Sequence, residues 1–161
     1  MRFVAIDFET ADRQPDSACA IGLVRVERER IVARDYRLIR PPRDSFDFTW
    51  LHGISWDDVQ DQPTFKDLWP DLSVMFLGVD FIAAHNAPFD RNVLKACCRT
   101  ARLSPPDLPF KCTVQVARKV WSIRPTKLDN VCRRLGIPLK HHDAASDAEA
   151  CARILIAAGS C

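Results

Sequence analysis

Phe3-Val4-Ala5-Ile6-Asp7-Phe8-Glu9-Thr10 is a short apolar run that ends on two acids. Residues 3–8 read as a strand, and the near absence of polar residues before Asp7 marks that strand as central in a sheet. Side chains two apart on a strand share one face, with Cα atoms about 6 to 7 Å apart, so Asp7 and Glu9 project together while Phe8 points the other way. Left unpaired, two such acids repel and resist ionisation, and a bound divalent cation removes both costs. A lone Asp-x-Glu also has a plainer reading, in which the strand ends at Asp7 and both acids face water. Other stretches of the chain have to decide between the two.

Outward from that run, residues 18–26 and 31–39 read as two more strands, with the polar stretch 27–30 turning between them, so the chain begins as a three-stranded antiparallel meander. Pro41-Pro42 ends it, and the polar and aromatic residues up to Trp50 read as loop. Phe65, Leu68, Trp69, Leu72 and Phe76 recur at helical spacing within 64–77. Residues 79–84 form a short buried strand, and 88–101 a helix with Pro88 in its first turn, where a missing N–H costs little. After the Pro-rich loop 104–109 come a short strand at 110–113 and helices at 114–121 and 127–135. Gly136 and then Pro138 stop the last of these. A final helix covers 144–157. This order predicts an α/β fold, a mixed five-stranded sheet flanked by helices, not a doubly wound parallel one.

Two later stretches repeat the oddity of the first. In Ala84-His85-Asn86-Ala87-Pro88-Phe89-Asp90 a buried strand passes into a helix on which Asp90, Val93, Leu94, Cys97 and Ala101 fall three or four apart, so Asp90 lies on the apolar stripe. A first-turn acid also complements the helix dipole, Asn86 is placed to cap the helix, and His85 reads as an ordinary packed histidine. In His141-His142-Asp143-Ala144-Ala145-Ser146-Asp147, Asp143 is the cap and Asp147, Cys151, Ile154 and Ala158 form the inner stripe. His142 can reach the same place as Asp147 only from the loop before the first turn. Three separate stretches therefore put carboxylates on inner faces at element ends. Together they describe one acidic pocket for hard, oxygen-seeking cations, Mg²⁺ or Mn²⁺. Four negative charges suit two ions, and two ions can clamp the attacking and leaving oxygens of a phosphoryl transfer.

Composition sets the frame. The 161 residues, 47% hydrophobic and 27% charged, fit a single domain over 1–161 and exclude a disordered or collagen-like chain. No apolar run has the length of a membrane span, and the acid at position 7 comes too early for a secretory signal, so a soluble cytoplasmic protein is expected. The seven cysteines sit mostly among apolar neighbours without a Cys-x-x-Cys, which reads as reduced, buried thiols and not as a zinc site. A net charge of +2 gives no broad basic surface, so an anionic substrate has to be gripped locally.

The residues Asp7-Phe8-Glu9-Thr10, Ala84-His85-Asn86-Ala87-Pro88-Phe89-Asp90 and His142 with Asp147 in His-x4-Asp spacing resemble the motifs of the DEDDh exonuclease family of ribonuclease H-like fold, which includes the proofreading subunit of bacterial replicative polymerase. The likeness extends to Trp50-Leu51-His52-Gly53-Ile54, Cys112-Thr113, Lys127-Leu128-Asp129-Asn130 and Leu135-Gly136-Ile137. It implies that Asp7, Glu9, Asp90 and Asp147 hold two metal ions, with Asp7 bridging. It implies that His142 is the general base for the water that attacks the terminal phosphodiester, releasing a nucleoside 5′-monophosphate from a 3′ end. His141 is one residue out of register and is expected to point elsewhere. By the same resemblance Thr10 and Ala11 lie near the terminal nucleotide, His52, Gly53 and Ile54 line its sugar and base, Asn86 orders the pocket or touches substrate, and Phe89 packs against the terminal base.

The expected substrate is a nucleic-acid 3′ end. Single-stranded or frayed DNA is preferred and RNA is the alternative, because nothing in the motifs treats a 2′-hydroxyl. No membrane partner is expected. The sequence shows no tail after Asp147 long enough to tether a polymerase, which favours a free-standing nuclease over a polymerase accessory or binding module.

Overall fold

Alternation along the first strand sorts the apolar residues into two cores. The computed structural model describes residues 1–159, with β1 at Arg2–Thr10. Val4, Ile6 and Phe8 face one side, and Phe3 and Ala5 the other. β2 (Ala18–Glu27) and β3 (Arg30–Leu38) continue antiparallel. The two residues joining them, Arg28 and Glu29, both take positive φ, 49° and 64°, the backbone of a two-residue hairpin turn that matches strand twist. β4 (Phe81–Ala84) pairs parallel with β1, and β5 (Phe110–Cys112) parallel with β4. The strand order β3-β2-β1-β4-β5 is the mixed five-stranded sheet expected, with β1 in its centre.

Helices cover both faces. On the Val4 side lie α3 (Phe65–Val74) and α4 (Ala87–Thr100), which contribute Leu68, Leu72, Val93, Leu94 and Cys97 to the core. On the Phe3 side, α7 (Ala144–Gly159) lays Ala148, Cys151, Ala152 and Leu155 against the sheet. Its other flank packs Ala150 and Ile154 on α5 (Thr113–Trp121) and α6 (Leu128–Leu135). Five of the six described cysteines are buried and all six are free thiols; Cys161 lies outside the described residues. Among the described residues no helix is long and apolar enough to cross a membrane.

The stretch after Pro41-Pro42 is loop as far as Phe48, as expected, and helical only from Thr49. The chain then folds into two single turns, α1 (Thr49–His52) and α2 (Trp56–Val59). The second is fixed by a capping box in which Asp58 accepts from the Ser55 N–H, and α3 begins with the same device between Thr64 and Asp67. The strand expected from Val79 starts at Phe81. Gly78 turns the chain at φ 68°, and Asp80 is drawn off to accept from the Arg2 N–H at 2.9 Å.

Candidate active site

Strand β1 outruns its parallel neighbour, and the site is built on the excess. Pairing with β4 covers only Phe3 to Ala5, so the N–H of Phe8 has no strand to bond on that side. Asp90 Oδ1 accepts it at 3.0 Å, which explains an acid, 1% exposed, on the apolar stripe of α4. On the other side β2 pairs as far as Thr10, with Asp7 opposite Gly22 and Glu9 opposite Ala20. Both acids therefore belong to the strand, and Glu9 is only 7% exposed, which excludes the reading in which they face water. Asp147 arrives from α7. Its N–H bonds the Asp143 carbonyl at 2.9 Å, and Asp143 caps the helix by accepting from the Ser146 N–H at 3.1 Å.

Three carboxyls, Asp7, Glu9 and Asp147, thus meet where the sheet ends, and Asp90, outside that group and outside the cavity lining, sits on the Phe8 N–H near enough to act on Asp7. Burial, reinforced by Asp90, Asp147 and Glu9, holds the Asp7 carboxyl well above the carboxylate range. Burial and then Asp147 push Glu9 up to about 7. Asp90 rises to about 8 through burial, against the pull of the Phe8 N–H. Asp147 is raised by burial, although His141 opposes it. Candidate ligand atoms of Asp7, Glu9 and Asp147 lie within 4.8 Å of one another, and among the described residues Asp147 Oδ1 is buried without a hydrogen-bond partner. A buried acceptor left without a donor is costly, and mutually repelling acids add to the cost. A hard cation relieves both, so the donor set fits one.

The loop before α7 brings two histidines, not one. His142 has φ 63°, a left-handed kink that reverses the usual divergence of consecutive side chains. The rings of His141 and His142 consequently stack with centroids 3.8 Å apart, and both line a cavity of about 280 Å³ with Asp7, Phe8, Glu9, Thr10, Phe48, Leu51, His52, Phe89 and Asp147. His141, expected to point elsewhere, places Nδ1 3.0 Å from Asp147 Oδ2. His142 gives its backbone N–H to the same oxygen at 3.1 Å. Burial, then the nearby His141 and His52, hold the His142 imidazole below its usual pKa.

His52, Thr10 and Phe89 line this cavity. The His52 Nδ1 accepts the Ile54 N–H at 3.1 Å, so its Nε2 carries the proton and donates to the Thr10 carbonyl at 2.9 Å. That ring is neutral and ties α1 to the end of β1. Ala11, Gly53, Ile54 and Asn86 are not among the lining residues. Ala11 is fully buried beside Cys19 and Val59, with its N–H given to the Ser17 carbonyl and its own carbonyl bonded by Asp47. Ile54 packs on that cluster, and Gly53 serves as the left-handed C-cap of α1. Asn86 occupies the cap position of α4 in a left-handed conformation, but its side chain makes no capping bond. His85 is the packed histidine expected, with Nε2 donating to the Thr126 carbonyl at 3.0 Å and Nδ1 2.8 Å from the Thr113 hydroxyl. Phe48 and Leu51 were not anticipated. Phe48 falls in the stretch read as loop up to Trp50, and the signal for Leu51 is its place beside His52 in the stretch 50–54 that carries the resemblance.

The exonuclease family RNase_T matches residues 4–155. The PolC-type DNA polymerase III of Thermotoga maritima is 30% identical over 158 residues, 96% of this chain but 12% of that one. The chain therefore spans about one eighth of the length of such relatives. The DNA polymerase III subunit epsilon of Rickettsia felis is 27% identical over 168 residues, covering 97% of this chain and 73% of that protein. Among solved structures, exonuclease X in complex with 5′ overhanging duplex DNA superposes with a TM-score of 0.79 at 27% identity, over 98% of this chain and 91% of that one. The match over nearly the whole chain, on a sheet that gathers its acids at the end of β1, places this protein in the RNase_T exonuclease family.

Proposed function

We propose that residues 1–161 form one domain that removes nucleoside 5′-monophosphates from the 3′ ends of single-stranded or frayed DNA. Divalent metal ions are inherent to the family. In this chain Asp7, Glu9, Asp90 and Asp147 would hold two of them, Mg²⁺ or Mn²⁺. The observation that carries this reading is the buried, unpartnered Asp147 Oδ1 in a group of acids raised by burial and by one another. Bound there, the cations supply positive charge to the attacking and leaving oxygens.

The chain's own residues do the rest. Asp90 holds the end of β1 through the Phe8 N–H, and His52 holds the Thr10 carbonyl, so the floor of the cavity is fixed before substrate arrives. The apolar walls, Phe48, Leu51 and Phe89, suit the face of a terminal base, and stacking accepts any base. His142 accepts the proton of the attacking water, a role that needs a neutral ring, and its lowered pKa keeps it neutral near pH 7. The names of the curated relatives, polymerases and a polymerase subunit, and the DNA in the exonuclease X structure support DNA over RNA and an association with DNA synthesis.

Digestion of end-labelled strands tests the proposal. A 3′-labelled single strand of DNA should release its label at once as mononucleotide, a 5′-labelled strand should shorten stepwise, and a circle should survive. The RNA strand of the same sequence should be degraded more slowly. Cutting of the circle would overturn the exonucleolytic reading, and faster loss of the RNA would overturn the substrate.

A further inference from the structure

The near-neutral charge of the chain hides a sharp division. Residues 91–127 carry nine basic side chains and a single acidic one, Asp107. Three of the nine, Arg91, Lys95 and Arg99, stand on α4 at i, i+4 and i+8, all exposed, in a row with steps of about 6 Å along the helix axis. Arg102 follows just past the helix end. Among the described residues none of these four side chains is paired with a carboxylate, whereas Arg2, Arg25, Arg34, Arg37, Arg43 and Arg153 elsewhere on the molecule all are.

The row is unfavourable for the helix itself. Like charges at i, i+4 cost an isolated helix a few tenths of a kcal/mol each, about the size of the gain from an opposite pair. Arg91 also lies close to the N-terminal end, where the helix dipole disfavours a cation. The row borders a groove of about 390 Å³ between α4 and the sheet edge, lined by Arg91, Asn92, Lys95, Phe110, Cys112 and Gln115 together with Ala87 and Pro88. Its α4 end adjoins the catalytic cavity, because Phe89 lines that cavity while Pro88 and Arg91 line the groove. Cations and amide donors beside an aromatic edge match a nucleic-acid strand and its phosphates.

We propose that this groove and the Arg91-Lys95-Arg99 row hold the phosphates of the substrate strand that lie 5′ of the terminal nucleotide, so that the strand crosses Phe89 into the catalytic cavity. The inference rests on the nuclease reading. It supplies the local grip that the modest net charge demands, and it gives the enzyme a preference for strands long enough to reach the row.

The test compares the parent, the double variant Arg91→Gln/Lys95→Gln, and Arg28→Gln on the far β2–β3 turn as a control. A single-stranded DNA of about 16 nucleotides, within the span of a single-strand binding site, is set against a dinucleotide that fills only the catalytic cavity. Loss of two phosphate contacts should raise KM for the long strand about tenfold with kcat held. It should also lower the salt slope of binding, read by fluorescence anisotropy in chelator, by about 1.4. Dinucleotide hydrolysis should change less than about twofold, and Arg28→Gln should match the parent throughout. An unchanged KM and salt slope on the long strand overturns the proposal. So does an equal loss on the dinucleotide, which would put the two residues in the chemistry. Failure of the parent to release nucleotides from either substrate overturns the nuclease reading itself, and the anisotropy then decides separately whether the groove binds the strand.

Discussion

His141 and His142 lie side by side with different attachments, and the difference predicts different defects. His141 Nδ1 bonds Asp147 Oδ2, the other oxygen of the carboxylate whose unpartnered Oδ1 faces a cation, so removing it should alter metal affinity more than turnover. Among the described residues the ring of His142 makes no side-chain hydrogen bond, and it is the freer of the two to take a proton. Because its φ is 63°, Asn is a cleaner substitution than Ala, since Asn tolerates left-handed backbone. His142→Asn should lower kcat by about 10² to 10⁴ and leave Mn²⁺ binding, followed by calorimetry, close to the parent. His141→Ala should lose less than about tenfold in kcat. The base must be unprotonated, so the parent's rate should fall as pH drops through a value below histidine's ordinary 6.5, and His142→Asn should lack that limb. If His141→Ala is the crippled enzyme, the base sits one position earlier.

At the scale of elements, the site depends on how closely α7 approaches β2. Gly22 pairs with Asp7 across the strands, and a Cβ built there would run into the Ala144 carbonyl and the Ala145 N at the start of α7. Only glycine lets that helix lie low enough to deliver Asp147 to β1. Gly22→Ala should lift the first turn, cost about 1 to 3 kcal/mol in denaturant unfolding, and reduce activity at least tenfold even where the protein remains folded. A variant that melts lower yet keeps full activity would show that Asp147 does not need this contact. The sequence reveals the acids but not this requirement. Asp7, Glu9, Asp90 and Asp147 were readable because a carboxylate on an apolar stripe breaks a periodic pattern. Gly22 is one small residue in an apolar strand, and its reason lies more than a hundred residues away. The turns α1 and α2 were missed because four-residue helices have no periodicity to read, although Ser55 to Asp58 spells a capping box. The partnership of His141 was missed because a positive φ at the next residue cannot be read from spacing.

For the molecule as a whole, gathering four carboxyls around the end of β1 ties stability to pH and to metal. Each of the four binds a proton more tightly when folded than when unfolded. Their contribution is therefore fully present below the ordinary carboxylate range and is lost as pH rises through the folded values, about 7 for Glu9 and about 8 for Asp90. Acids held low by partners, such as Asp12 and Asp16 beside Arg43 and Glu149 beside Arg34, act in the opposite sense but only near and below the ordinary range. His52, His85 and His142, held low mainly by burial, add stability as pH rises toward histidine's ordinary 6.5, so the cluster dominates in the interval from pH 6.5 to 8.5. In chelator, the melting temperature should fall across that interval by about 5 to 10 °C. Saturating Mn²⁺ should restore it at pH 8.5 and do little at pH 5.5, because a cation takes the place of the shared protons and its binding releases them. Asp90→Asn keeps an oxygen for the Phe8 N–H while removing one charge, so its metal-free melting temperature should fall less steeply with pH than the parent's, and its gain from Mn²⁺ should shrink. A melting temperature in chelator that is flat from pH 6.5 to 8.5 would mean that the four acids do not repel one another in the folded protein, and the case for a cation among them would lose its electrostatic ground.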